Sequence, residues 1–165
     1  MNAKAQYYIE KLDLKKHPEG GYYKEVYRSN EHFIIPDYSL KKKQRNYSTS
    51  IYFLLEGNDK SFFHKLSSDE IWHFYDGTDL RIIIIDNLGN LSEVLFGKGT
   101  GIFQFTIKKD SWFAAELVEK TSFALIGCTV SPGFDFEDFV LGKREELINL
   151  FPQHERIIRK FTRVD

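Results

Sequence analysis

The sequence predicts an all-β domain, and three observations carry that expectation. Its 165 residues include 15 Phe and 9 Tyr but only 4 Pro, and aromatic side chains suit the half-buried pleated surface of a strand. Turn chemistry recurs about every 8–12 residues, the spacing of an antiparallel sandwich or barrel rather than of βαβ units. The length fits one domain over 1–165, because two halves would each be small for a self-sufficient core.

In chain order, residues 3–12 place Tyr8, Ile9 and Leu12 at helical spacing behind Asn2, a good N-cap, and predict a short amphipathic helix. His17-Pro18-Glu19-Gly20-Gly21 breaks it, since the residue before proline leaves αR and the glycine pair permits positive φ. Strands are expected at 22–29, 48–55, 61–66, 70–75, 80–86, 91–96, 103–107, 112–117 and 122–130, with polar or glycine-containing turns between them. After Pro132-Gly133 the pattern changes, and 144–148 and 154–161 predict two short amphipathic helices interrupted at Pro152.

Charge and hydropathy narrow the function classes. Lys+Arg number 23 and Asp+Glu 24, a net charge of -1, so no global basic field exists to attract nucleic acid. The longest fully apolar runs are four residues, such as 82–85, and the N-terminus MNAKAQ is polar. Neither a membrane span nor a secretory signal is expected. The single cysteine, Cys128, cannot form an internal disulfide, which agrees with a reducing, cytoplasmic location. The sequons at Asn46 and Asn90 then read as accidental.

Several motifs are set aside. Gly97-Lys98-Gly99-Thr100-Gly101 has the composition of a phosphate cradle, but no helix follows, and a hairpin loop is expected. Lys41-Lys42-Lys43-Gln44-Arg45 reads as solvated loop charge, and Cys128 as a small buried hydrophobe. The informative stretch is 62–77. A tight polar turn there brings His64 near Glu70, and period-two geometry puts Trp72 and Phe74 on the face of Glu70 and His73 on the other. An imidazole and a carboxylate facing an aromatic lumen are a candidate acid/base pair or part of a metal site. In the strand near 20–29, Glu25 or Arg28 is a candidate to hold a polar ligand.

HPEGGYYKEVYRS, STSIYFLL, FHKLSSDEIWHFYDG, SWFAAEL and GCTVSPGFDFEDF, at 17–29, 48–55, 63–77, 111–117 and 127–139, resemble the cupin_5 group, also called DUF985. The resemblance spans nearly the whole chain in order. It implies a cupin double-stranded β-helix, or jelly-roll barrel, with short terminal helices, paired as a homodimer around an internal pocket. Members carry the label of predicted sugar epimerases, which is an analogy of fold. The first cupin motif survives as His64, Glu70 and Gly77, but Leu66 stands at the second histidine, and Phe113 at the closing histidine of the second motif. No cofactor is therefore expected, and any metal would have only His64 and Glu70.

Aromatic walls with sparse polar groups suit a sugar or nucleotide-sugar ligand. The leading expectation is a metal-independent epimerase or isomerase with His64 as base, oriented by Glu70, and Tyr23 or Tyr52 as acid. Glu25, Arg28, Trp72, Phe74, Gln104 and Trp112 are the expected ligand contacts. A non-catalytic small-molecule-binding module, or a metal-dependent cupin enzyme with a reduced ligand set, are the alternatives.

Overall fold

The computed structural model describes residues 2–35 and 43–164; Lys41 and Lys42 of the basic stretch lie outside them. Helix α1 (Ala3–Lys11) starts where the Asn2 side chain accepts from the backbone N–H groups of Lys4 and Ala5 at 3.0 and 3.3 Å. A six-stranded antiparallel sheet contains, in spatial order, β1 (Lys15–Lys16), β2 (Tyr22–Arg28), β5 (Thr49–Glu56), β12 (Phe123–Ser131), β7 (Asp69–Gly77) and β10 (Gln104–Ile107). The facing five-stranded sheet runs β13 (Phe139–Leu141), β6 (Lys60–Leu66), β11 (Trp112–Leu117), β8 (Leu80–Ile85) and β9 (Leu91–Phe96). A separate hairpin pairs β3 (His32–Ile35) with β4 (Lys43–Asn46), and α2 (Arg144–Leu150) and α3 (Glu155–Lys160) close the chain.

This is the expected jelly-roll, although its two sheets do not close into a continuous barrel. Consecutive strands often change sheet. The turn between β6 and β7 crosses from one sheet to the other, so His64 and Glu70 approach from opposite walls. Likewise the glycine-rich 97–101 loop joins β9 to β10 in different sheets; it closes locally on an antiparallel bridge between Gly97 and Ile102, but the two strands do not pair as a hairpin. A strand follows the loop, so no helix N-terminus is there to hold a phosphate.

Both sheets are covered on their outer faces. Helix α1 lays Ala5 against Leu54, Phe123 and Leu125 of the six-stranded sheet, while Leu147, Ile158 and Phe161 cover Phe63, Ile83, Ile85 and Trp112 of the other. Strands buried on two faces need apolar residues at every position, which is why 82–85 is a continuous isoleucine run rather than an alternation. Between the sheets, Phe53, Trp72, Phe74, Leu80, Ile82, Phe96, Phe113 and Leu117 fill one end of the interior. The other end is left open.

Candidate functional site

The open end is a cavity of about 280 Å³. Tyr23, Glu25 and Arg28 reach it from β2, Thr49, Ile51 and Phe53 from β5, His64 and Leu66 from β6, Glu70 from β7, and Cys128 and Val130 from β12. Two loops complete it: residues 17–21 bring His17 and Glu19, and the segment after β12 brings Phe134, Asp135, Phe136 and, at the start of β13, Phe139.

The first loop is held against β6 by its glycines. Gly20 has φ +112°, and a Cβ there would lie 2.0 Å from the Lys60 carbonyl oxygen, so only glycine permits the close approach. Phe62 N–H donates to the Glu19 carbonyl at 2.8 Å. The loop thus turns Glu19 inward, where Ser61 Oγ donates to its Oε1 at 2.7 Å and its Oε2 lies 3.1 Å from His64 Nε2 and 3.4 Å from His17 Nδ1.

The four ionisable groups are nearly dry, with His64 2 %, Glu19 7 %, Glu70 7 % and His17 8 % exposed. Burial disfavours their charged forms. It lowers His64 to about 3 and His17 to about 4. Burial, reinforced by the charge of Glu70, holds the Glu19 carboxyl well above the usual carboxylate range. His64 Nδ1 is 2.8 Å from the Phe62 carbonyl oxygen and carries the proton, leaving Nε2 as an acceptor. The backbone N–H of Glu19 donates to His17 Nδ1 at 3.3 Å. Glu19 Oε2 therefore faces two imidazole nitrogens, and burial favours the neutral form of all three groups.

Glu70 differs. Burial pushes it up to about 7, offset in part by the Cys128 thiol and Trp72 indole beside it. Its Oε2 is buried with no partner in hydrogen-bonding geometry, and so is Trp72 Nε1. At the mouth, Arg28 forks onto Glu25 at 2.9 and 2.8 Å, donates to the Phe134 carbonyl at 3.1 Å and reaches Asn46 Oδ1 at 2.8 Å. Behind the aromatic wall, buried Arg45 of β4 binds Asp138 at 2.6 Å and Glu137 at 3.0 Å, with Lys43 also on Asp138.

The structure thus brings together His64, Glu70, Tyr23, Glu25 and Arg28 of the expected set. Five others lie elsewhere. Tyr52 is on the outer face with the α1 cluster, 6.0 Å from Tyr75 between ring centres. Trp72 and Phe74 share the inward face of Glu70 as the alternation requires, but they fill the solid end of the core. Trp112 is buried under α2 and α3, because β11 is covered on both faces and alternation there does not mark the lumen. Gln104 is exposed on the edge strand β10. Sequence reasoning missed His17, Glu19 and Cys128 as lining residues. His-Pro-Glu-Gly-Gly predicts a helix break and belongs to the family motif, but an acid beside a glycine pair is also a signal for a loop that can turn a carboxylate inward.

The metal site of this fold does not fit these residues. Leu66 lines the cavity at one ligand position, and the Phe113 ring lies 4.0 Å from the His64 ring at the other. Of the fold's ligand positions only those of His64 and Glu70 keep donors, two where three are ordinarily needed. Among the described residues no three His, Cys, Asp or Glu side chains are grouped to hold a metal ion.

The model of the Cupin superfamily (DUF985) family matches residues 6–142. The chain belongs to that family. A protein of Shewanella oneidensis is 38% identical with a TM-score of 0.86, covering 100% of this chain and 99% of its own. A hypothetical protein from Leishmania major is 30% identical with a TM-score of 0.87, covering 99% of this cupin and 100% of its own length. Oxalate decarboxylase of Bacillus subtilis, at 16% identity and a TM-score of 0.56, matches 91% of this chain with 38% of its own, and shows the fold alone. No curated protein matches the chain. None of the described helices is long and apolar enough to cross a membrane.

Proposed function

We propose that this cupin is a metal-independent proton-transfer enzyme, an epimerase or isomerase acting next to the carbonyl group of a small polyhydroxylated compound. One observation carries the reading: Glu70, on the cavity wall, has a buried oxygen without a partner and a carboxyl raised to about 7. A general base is most effective when its pKa lies near the working pH. His64, at about 3, is too weak a base at neutral pH, so the base is assigned to Glu70 and His64, 3.1 Å from Glu19 Oε2, becomes the group that orients Glu19.

In this mechanism the Glu70 carboxylate removes the proton from the carbon beside the carbonyl. Tyr23, reaching the same cavity from β2, returns a proton on the other face. His17 has Nδ1 taken by the Glu19 backbone N–H; in the neutral ring the proton is on Nε2, a donor for the developing oxyanion. A cavity of about 280 Å³ lies below the ~300–1,000 Å³ usual for drug-sized ligands. It favours a monosaccharide-sized substrate over a nucleotide-sugar. We further propose that the protein works as a homodimer, since Val26 and Tyr27 of β2 and Ile34 and Tyr47 of the β3–β4 arm are all exposed.

Deuterium exchange at the carbon beside the carbonyl tests the reaction. Monosaccharides incubated with the protein in D2O are expected to incorporate deuterium by NMR, with Glu70→Gln slower by about 100-fold or more. Exchange unaffected by Glu70→Gln overturns the assignment of the base. Tight sugar binding with no exchange favours the non-catalytic binding module instead.

A further inference from the structure

The charges around the cavity are lopsided. Among the described lining residues the one full cation is Arg28, and its fork is spent on Glu25 while Nη2 also serves the Phe134 carbonyl and Nη1 Asn46. His17 and His64 are neutral at pH 7, since burial lowers both far below it. On the acidic side Glu70 faces no cation, while Glu25 is spent on Arg28, Asp135 lies 3.8 Å from Arg45, and burial favours the neutral form of Glu19. An anionic ligand entering this space would meet no unspent positive charge and would lose its hydration without compensation.

The walls have the opposite preference. Phe134, Phe136 and Phe139 form a cluster with ring centres 5.0 to 6.2 Å apart, and Tyr23 and Phe53 face the same space. Aromatic faces carry negative potential and attract cations, most strongly when both partners are desolvated. The buried Glu70 Oε2 has no partner in hydrogen-bonding geometry, with the Cys128 thiol and the Trp72 indole as its neighbouring donors.

We propose that the ligand of this cavity carries an ammonium group, with the Glu70 carboxylate as its counter-ion and the aromatic wall around it. Combined with the proton-transfer reading above, on which this part rests, the substrate class becomes amino sugars rather than neutral sugars, uronic acids or nucleotide-sugars. An ammonium beside Glu70 would also keep that carboxyl ionised, the form a base requires.

Isothermal titration at about pH 7 with glucosamine, glucose, glucuronate, oxalate and choline separates the alternatives without using turnover. Glucosamine is expected to bind about tenfold more tightly than glucose, choline to bind measurably, and glucuronate and oxalate not at all. Glu70→Gln should bring glucosamine and glucose within about threefold of each other, and Phe136→Leu, at an exposed wall position, should weaken choline severalfold. Equal binding of glucose and glucosamine, tighter binding of either anion, or no cation binding at millimolar concentration overturns the proposal. Choline binding with no glucosamine binding leaves the ammonium site standing and removes the sugar class from the proposed function.

Discussion

Replacing Glu70 by Gln should stabilise this protein at alkaline pH while removing its proposed base. In the unfolded chain Glu70 ionises above its ordinary 4.5, whereas in the folded protein burial holds its proton up to about 7. As pH rises from 4.5 through 7, deprotonation therefore favours the unfolded chain, and wild type loses stability that the Gln variant keeps. From 4.5 to about 7, at about 1.4 kcal/mol per pH unit, the loss comes to about 3 kcal/mol and is complete above pH 7. Gln also changes the local hydrogen bonding, but that contribution is the same at every pH and cancels when two pH values are compared. Urea denaturation of both proteins at one concentration, followed by fluorescence of the two Trp, gives the difference directly. The Gln variant should gain about 3 kcal/mol relative to wild type between pH 4.5 and pH 8. A difference independent of pH, or one favouring wild type as pH rises, would mean that Glu70 is ionised and compensated in the folded protein. The raised carboxyl, and the base built on it, would then be wrong.

Arg45→Ala should cost about 3 kcal/mol in urea denaturation, because it strips the buried Asp138 of its guanidinium partner and releases the aromatic wall of the cavity; a loss below about 1 kcal/mol would show that Lys43 alone holds that carboxylate. Light scattering at micromolar concentration should report twice the monomer mass. A monomer at every concentration would refute the dimer.

The sequence by itself determined the β architecture, most strand positions and the family, because these rest on local patterns: alternation, turn residues and ordered motifs. It missed β1, β3, β4 and β13, short strands whose pairing depends on where a distant partner lies. Parity placed Glu70, Trp72 and Phe74 on one face, but parity cannot say how far along a strand the core stops and the cavity begins. That boundary is set by which bulky side chains meet across two sheets, such as Phe74 with Phe96 and Trp72 with Phe113. Alternation also failed for Trp112, since helices from the end of the chain bury the outer face of its strand. The tertiary structure alone decided the surroundings of the ionisable groups. His64 and Glu70 were legible as candidates, but only the inward fold of the 17–21 loop puts Glu19 against His64. A pKa depends on burial and on neighbours in space, and neither is a property of spacing along the chain.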